Sequence, residues 1–384
     1  MNTIRLVLVW LAAVTAGAVM AQDPVVVVGA VISQTGAHAD LAQEYGRGLD
    51  LWRDEVNAAG GLLGRRVELR VLDDGSQALR GGPLYAQLIT EEKVDLLVGP
   101  YGSAATLVAA SESERARRVM VNGAGPAAVT HARGPRYLFQ SAIPYAAYGH
   151  AALQAVTDAG LQRILIVARD EPASREAAEA LRNAAAAQNL TVNTIEVYKP
   201  GTFDYTLQVA KARAAEAQAW VGFGDVRDAA EMVKTFKRLD YAPALFFAQG
   251  AGHPRFIALL GQDAEWSLGA VDFDPRLGGP ARSFAQAYMA KFTVPPGLAA
   301  AEGYAAGSVL GAAVRAAGTF SQESVRAALA DLRTTTVLGE YRVAAESGAQ
   351  IGARPQVVQI RLGWPRPGPP LLPYPQWDER ALIK

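Results

Sequence analysis

Short apolar runs alternate with longer amphipathic stretches along most of the chain. The stretch 42–59 places Tyr45, Leu49, Trp52 and Val56 three or four residues apart, which is the spacing of one packed helix face. The apolar runs are bounded by turn residues and predict strands at 25–32, 66–72, 94–98, 118–121, 163–168, 191–197, 219–222 and 244–248. Because apolar strands alternate with helices, we expect an α/β fold of parallel sheets with helices on both faces.

The order of predicted strands and helices changes twice in the later part of the chain. The segment 136–144 is expected to be a strand that leaves one sheet and crosses into a second βαβ series. Helices dominate from 281 to 329, and short strands return near 334–343 and 356–362. Six prolines follow between positions 365 and 375, which excludes a helix or a central strand and predicts an extended strap over one lobe.

The first 21 residues have the pattern of an export signal. Arg5 precedes an apolar run at 6–14, and small residues lead to Ala21. A membrane anchor is the alternative, but the run is short for the ~20 residues of a spanning helix. We therefore expect cleavage after Ala21. Since the chain has no cysteine, neither a lipid-anchored cysteine nor a disulfide is expected.

Composition narrows the class of partner. About 360 residues would remain after cleavage, enough for two domains of ordinary size. The 37 basic and 37 acidic residues give a formal charge of zero. Nucleic acid and anionic membrane surfaces select for basic excess, so neither is expected as a partner. No second long apolar stretch follows, so no membrane insertion is expected after cleavage.

Signatures of catalysis are missing from the sequence. There is no cysteine nucleophile, the histidines lack i, i+4 ligand spacing, and neither G-x-S-x-G nor G-x-x-x-x-G-K-[ST] occurs. The G-x-G-x-x-A spacing of Gly123, Gly125 and Ala128 matches a dinucleotide-binding fingerprint. That fingerprint also needs an acidic residue ~20 positions further on to hold the ribose, and the next acid, Asp158, is too distant. We therefore expect no enzyme, no cofactor and no metal.

The segment 96–106, LLVGPYGSAAT, is a candidate anion site. A strand breaks at Gly99, and a helix is expected to begin near Ser103. The free N–H groups and positive dipole of a helix start can hold a carboxylate together with the Ser103 hydroxyl. The alternative is that Ser103 serves only as an N-cap. The neighbouring loop 122–126, NGAGP, follows the next strand and allows a ligand to approach its backbone.

Four segments follow one another along the chain: VGAVISQTGAHADLAQEYGRGLDLWRDEVNAAGGLLGRRVELRVLDD, VDLLVGPYGSAAT, VMVNGAG and YLFQSAIP. In this order they resemble the type I periplasmic binding proteins of ABC importers, specifically the leucine/isoleucine/valine-binding group, and the likeness covers about 25–364. It implies two doubly wound parallel-sheet lobes joined by a three-segment hinge that closes on a ligand. Lobe one would comprise 25–142 and 273–337, and lobe two 143–272 and 338–384.

The resemblance also implies ligand-binding positions in the first lobe. Ser103, with Ala104 beside it, matches the family serine that holds the ligand carboxylate. Ala124 and Gly125 match a G-A-T loop, but Pro126 stands where the threonine is expected. One hydroxyl donor is therefore lost.

Other matched positions depart further from the family pattern. Leu41 stands where an aromatic residue usually packs on the ligand, and Ser174 where a tyrosine is expected. Phe223 and Asp225 fall in the third wall, and Gln249 replaces the glutamate that pairs with an ammonium group. A neutral amide pairs poorly with a buried ammonium.

Two ligand classes follow from this resemblance. If Asp225 faces the cleft, an apolar α-amino acid is expected, with its amine on Asp225. If Asp225 caps the following helix, we expect an acid or amide without an amine, such as an aromatic or short-chain acid. Tyr101 and Phe223 are candidates for the apolar wall in both cases, and Tyr145 and Tyr148 are lesser candidates.

The resemblance implies a periplasmic solute-binding component that delivers a small carboxylate-bearing molecule to an inner-membrane permease. The alternative is a periplasmic sensor that presents its closed form to a membrane receptor. An exported enzyme is disfavoured, because no paired acids and no nucleophile with a base can be placed at one strand edge.

Overall fold

The computed structural model describes residues 25–368 and 371–377. The predicted export signal lies outside the described residues. Two large sheets carry helices on both faces, and a small hairpin lies beside them. The predicted α/β class with parallel sheets is confirmed.

The first sheet contains five parallel strands in the order β2-β1-β3-β4-β5. The strands are β1 (Val25–Val31), β2 (Arg66–Leu72), β3 (Leu96–Val98), β4 (Met120–Asn122) and β5 (Leu138–Gln140), and the helices between them are α1 (Ala39–Ala58), α2 (Gly81–Thr90) and α3 (Ser103–Ala116). Each strand is near the range that its apolar run predicts. Strands β3 and β4 lie inside the sheet and are fully buried, which explains why they are apolar without alternation.

The second sheet has seven strands, in the order β14-β13-β10-β9-β8-β6-β7. Its parallel part is built from α4 (Tyr145–Asp158), β6 (Arg163–Arg169), α5 (Pro172–Ala187), β7 (Thr191–Tyr198), α6 (Thr206–Ala214), β8 (Ala219–Phe223), α7 (Val226–Arg238), β9 (Leu245–Ala248), α8 (Pro254–Leu260) and β10 (Leu268–Val271). The sequence analysis did not predict β10, whose four residues include a glycine and give a weak pattern.

The rest of the chain returns to the first sheet and then ends in the second. It forms α9 (Gly279–Phe292), α10 (Leu298–Ala317), α11 (Gln322–Asp331), β11 (Thr334–Thr336), β12 (Gly339–Tyr341), β13 (Gln356–Arg361) and β14 (Trp364–Pro367). Strands β13 and β14 are antiparallel to their neighbours, which makes one edge of the second sheet mixed. The turn between them uses Leu362 and Gly363 at positive φ, as a tight hairpin requires.

Helices α1 and α10 pack with their backbones in contact. A Cβ atom on Gly48 of α1 would lie 2.0 Å from the carbonyl oxygen of Ala300, and one on Gly303 of α10 would lie 2.0 Å from that of Tyr45. Glycine is therefore required at both positions. Further along, Gly307 makes room for the ring of Trp52. The two helices therefore pack directly against each other and share the core of the first sheet.

The chain passes between the two sheets in three segments. The first follows β5 and the second follows β10. In the third, Tyr341 and Val343 pack in the core of the first sheet, whereas Ala353 packs in that of the second. This packing favours a third crossover a few residues beyond the proposed boundary at 337. The first and third segments are joined where the Gln140 N–H donates to the Gly348 carbonyl at 2.9 Å.

The proline-rich tail lies against the second sheet. Its first residues form the edge strand β14, and Tyr374 is 3% exposed in the core beside Phe246. The Tyr374 N–H donates to the Ala244 carbonyl at 3.1 Å, and the Trp377 indole donates to the Tyr241 carbonyl at 2.8 Å. An edge strand followed by an extended strap is what the prolines permit.

Candidate functional site

A cleft of about 240 Å³ opens at the carboxyl edge of the first sheet. The loop after β3 contributes Tyr101 and Gly102, and the loop after β4 contributes Ala124, Gly125 and Pro126. Ligands of open α/β sheets bind outside the carboxyl ends of the strands, as at this edge. The two neighbouring loops that the sequence predicted as a pair thus form one wall.

The other walls come from distant parts of the chain. The first crossover and the start of α4 contribute Ile143, Tyr145 and Tyr148, and these side chains pack with the second sheet. The remaining lining residues are Asp272 in the second crossover, Leu298 and Glu302 in the first turns of α10, and Leu338. The cleft therefore has walls from the first sheet, from the second and from the crossovers.

Helix α3 begins at the cleft without a side-chain cap. Its N-cap is Gly102, whose φ of 98° is the conformation that glycine adopts freely. Ser103 is the first helical residue, so its hydroxyl group does not cap the helix. That hydroxyl accepts a long hydrogen bond, 3.4 Å, from the Ala127 N–H and also contacts the Tyr145 hydroxyl. The first N–H groups of α3 remain available to an anion.

Buried polar residues hold the second loop in place. The amide of Asn122 donates to the side-chain oxygen of Gln140 at 2.9 Å and to the Ala124 carbonyl. Gly125 has a φ of 76°, and a Cβ atom there would lie 2.6 Å from the Ser103 nitrogen. The loop can therefore lie directly on the start of α3 only because this residue is glycine.

The electrostatic character of the cleft comes from Glu302 and Asp272. Burial, together with the negative charges of Asp272 and Glu44, raises the pKa of Glu302 well above its ordinary value. Burial also raises the pKa of Asp272 to about 6, although the hydrogen bond from Tyr148 opposes the shift. Burial raises the pKa of Tyr101 and of Tyr145 as well. The cleft is thus acidic and aromatic.

The structure brings together only part of the predicted site. Tyr101, Ala124 and Gly125 line the cleft, and Ser103 lies beside them. Ala104 follows Ser103 in α3 but points to solvent. The first-lobe loops are therefore the part of the predicted site that the structure places at the cleft.

The other predicted residues lie elsewhere among the described residues. Leu41 is 49% exposed on α1, and Phe223 is fully buried in the core of the second sheet, where it packs near Phe247. Ser174 is also buried, and its hydroxyl donates to Glu171 at 3.0 Å. Gln249 begins a short 3₁₀ turn after β9. None of these four lines the cleft.

The side chain of Asp225 caps the helix that follows it. It is the N-cap of α7 and accepts hydrogen bonds from the N–H groups of Arg227 and Asp228, and Asp228 bonds back to the Asp225 N–H. Its second oxygen pairs with Arg169 at 2.5 Å. Burial alone would raise the pKa of Asp225, but these bonds outweigh it and hold that pKa below its ordinary value. Of the two roles considered from sequence, the structure shows the capping role.

Glu302 and Asp272 were missed by the sequence analysis. Neither belongs to a motif, and only the fold brings position 302 beside position 272. One signal was present for Glu302: it is the only acid in α10, a helix otherwise rich in alanine and glycine with a single arginine near its end. A charge inside an apolar helix face is uncommon unless it has a role.

Neither a metal-binding cluster nor a membrane-spanning helix occurs among the described residues. Within 25–368 and 371–377, no three histidine, aspartate or glutamate side chains are grouped as a metal ion would require. Over the same residues, no helix has the length and apolar character of a membrane span.

The comparison with protein families decides the class of the chain. The model of the family described as "Periplasmic binding protein" matches residues 25–361. The chain belongs to the periplasmic binding protein family. Family membership confirms the resemblance given by the sequence, and with it the prediction of a binding protein rather than an enzyme.

Relatives and solved structures agree with this family. "Leu/Ile/Val-binding protein homolog 8" of Brucella abortus is 36% identical over 115 residues, 29% of this chain and 28% of that protein. The chain matches only about a quarter of the length of such curated relatives.

Two solved structures share the fold over nearly the whole chain. A putative branched-chain amino acid ABC transporter protein from Rhodospirillum rubrum has a TM-score of 0.82 at 22% identity, over 90% of this chain and all of that one. A solute-binding protein from R. palustris in complex with benzoate has a TM-score of 0.67 at 19% identity, over 92% of this chain and 98% of that one. Identities this low establish the fold alone.

Proposed function

We propose that the protein is the solute-binding component of an ABC importer, which captures a small carboxylate-bearing molecule in the cleft. The observation that carries the proposal is the cleft itself, with walls from both sheets and the uncapped start of α3 on one side. A carboxylate there would meet the first N–H groups of α3 and the Ser103 hydroxyl. The descriptions of the relatives, which are proteins for amino acids or for benzoate, support this class of cargo.

The proposed mechanism is closure of two lobes around the solute. A ligand that contacts the loops after β3 and β4 and also the side chains of α4 makes all its contacts only when these walls are close together. Binding therefore shifts an open ensemble towards the closed form. The inner-membrane permease would recognise the closed surface. The sequence predicts the lobes as 25–142 with 273–337 and 143–272 with 338–384, and the packing of Val343 and Ala353 supports moving the third crossover to the residues between those two.

The proposed location is the periplasm. The export signal expected at 1–21 would be removed after Ala21, and the chain carries no cysteine for a lipid anchor. None of the relatives described above is described as a sensor, so the importer component is the role we propose.

The test is a thermal-shift screen of the mature protein against apolar amino acids, aromatic acids, aliphatic acids and amides. A solute present at 100 times its dissociation constant adds ~2.7 kcal/mol to the free energy of unfolding. We expect one of these classes to raise the melting temperature and to be recovered chemically unchanged. Chemical conversion of the solute, or no stabilisation by any class, would refute the proposal.

A further inference from the structure

Glu302 faces the cleft with no partner for its charge. The residue is 9% exposed and lines the cleft from the first turns of α10. Its carboxylate makes no hydrogen bond or ion pair with any residue that the structure describes, and the two charged groups that act on it are both acids, Asp272 and Glu44. A buried carboxyl group without a partner is costly, so its presence at a cleft calls for a ligand.

Asp272 provides a second carboxylate from an independent part of the chain. One oxygen accepts a hydrogen bond from the Tyr148 hydroxyl. The other, Oδ1, is buried without a hydrogen-bond partner among the described residues. We call Glu302 and Asp272 the acidic pair. Its members come from α10 and from the second crossover, so the fold places them together.

No described residue neutralises the acidic pair. The residues that line the cleft include no lysine, arginine or histidine within 25–368 and 371–377. The ionisable groups that act on Glu302 are Asp272 and Glu44, and Glu302 in turn raises the pKa of four tyrosines around it: Tyr45, Tyr101, Tyr145 and Tyr148. Acids and aromatic rings both attract a cation, and neither attracts an anion.

We propose that the acidic pair is a subsite for a cationic group of the captured solute, an organic ammonium that lies against Glu302 and Asp272 with the cleft tyrosines around it. The inference rests on the proposed function, since the solute must enter the cleft. The acidic pair, rather than Asp225 or Gln249, is then the partner of an amine. Asp225 caps α7, and Gln249 lies outside the cleft. A bare metal ion is disfavoured because two carboxylates leave most of its coordination sites unfilled.

Proton release should accompany binding. In the empty cleft, burial and the neighbouring acids Asp272 and Glu44 raise the pKa of Glu302 and so favour its protonated form. A bound ammonium group favours the ionised form, so entry of the solute lowers the pKa of Glu302 and releases protons. Affinity should therefore rise with pH. An anionic solute would behave oppositely, because it would accept a hydrogen bond from the protonated acid and bind more weakly as pH rises.

The first experiment compares molecules that share an apolar side chain and differ in charge. One set is L-leucine, 4-methylpentanoate and 3-methylbutylamine, and the other is L-phenylalanine, 3-phenylpropanoate and 2-phenylethylamine. Calorimetric titration of the mature protein should show that, in at least one set, a member with an ammonium group binds at least tenfold more tightly than the carboxylate alone. Tighter binding of the carboxylates overturns the subsite and leaves the solute-binding proposal standing. Absence of binding in both sets counts against both.

The second experiment uses Glu302→Gln, with Glu91→Gln as control. Glutamine keeps the shape of the side chain but cannot ionise, whereas Glu91 lies on the surface and its substitution removes the same charge. Loss of a buried charge partner should weaken binding of the ammonium-bearing probe by about a hundredfold. Titration in buffers of different ionisation enthalpy should show proton release by the wild type and by Glu91→Gln, but not by Glu302→Gln. Proton uptake, unchanged affinity of Glu302→Gln, or preferential binding of calcium or magnesium chloride would overturn the proposal.

Discussion

The Tyr148 hydroxyl donates a hydrogen bond to the carboxylate of Asp272. Tyr148 lies in α4, on the second sheet, and Asp272 lies in the second crossover. The bond therefore ties a helix of one body to a segment that joins the two. It also lowers the pKa of Asp272, but burial outweighs it and leaves that pKa at about 6.

Asp272 should make the stability of the empty protein depend on pH. Its pKa in the folded protein exceeds the ordinary value of 3.8, so folding favours the protonated form. The stability that Asp272 contributes to the folded protein is complete below about pH 4 and is lost as pH rises through 6. Asp272→Asn keeps an oxygen for Tyr148 but does not ionise. Urea denaturation should show its stability relative to wild type rising between pH 4 and 7.

Asp331→Asn is the matched control for this measurement. Asp331 is exposed at the end of α11, so its substitution should leave the pH dependence of the wild type unchanged. A difference between Asp272→Asn and wild type that stays constant over this range would show that Asp272 does not titrate there.

Ser103→Ala should weaken solute binding without weakening the empty protein. The hydroxyl does not cap α3, because the N-cap is Gly102. A hydroxyl that donates to a charged ligand contributes about 1 to 3 kcal/mol to binding. Calorimetry and thermal denaturation measure the two effects separately. Ser111→Ala, on an exposed part of the same helix, should change neither, and an equal loss of unliganded stability in Ser103→Ala would indicate a purely structural serine.

Gly125→Ala should damage both stability and binding. The residue has a positive φ, and its new Cβ atom would lie 2.6 Å from the backbone of Gly102 and Ser103. The loop must then move away from the start of α3. Gly160→Ala is the control, since Gly160 has a φ of 68° but no atom within 4 Å of the added Cβ.

The control should lose about 1 kcal/mol of stability from backbone strain alone and keep its affinity for solute. Gly125→Ala should lose more stability in denaturation and also bind solute more weakly. Equal losses in the two variants would mean that the contact between the loop and α3 is unimportant.

Asp225→Ala should lower stability and leave affinity unchanged. The side chain caps α7 and pairs with Arg169, and loss of such a cap costs about 0.5 to 2 kcal/mol. Asp225→Asn retains a capping oxygen and should lose less. Denaturation and ligand titration of both variants test this expectation. A large loss of affinity in Asp225→Asn would place the residue in the binding site after all.

The fold was predictable because its signals are local. The helix at 39–58 and the strands of both sheets have apolar patterns that one can read within a few residues, and the short Leu268–Val271 strand was missed because four residues carry little pattern. The antiparallel edge at β13 and β14 could not be predicted in the same way, since strand direction depends on how the third crossover returns.

The site was predictable only where it follows strand ends. Tyr101, Ala124 and Gly125 come directly after β3 and β4, so the parallel sheet brings them together. Phe223 and Ser174 were chosen by position in a resembling pattern, but here those positions face the core. Glu302 could not be placed from sequence, because its approach to Asp272 depends on how α10 packs.

The close contact between α1 and α10 limits which wall of the cleft can move. With Gly48 and Gly303 allowing backbone to touch backbone, α10 cannot slide or rotate without colliding with α1. The backbone at Glu302, next to Gly303, is therefore held against α1 on this side of the cleft. In the proposed closure, the movement that encloses a solute would therefore fall to α4 and the three connecting segments.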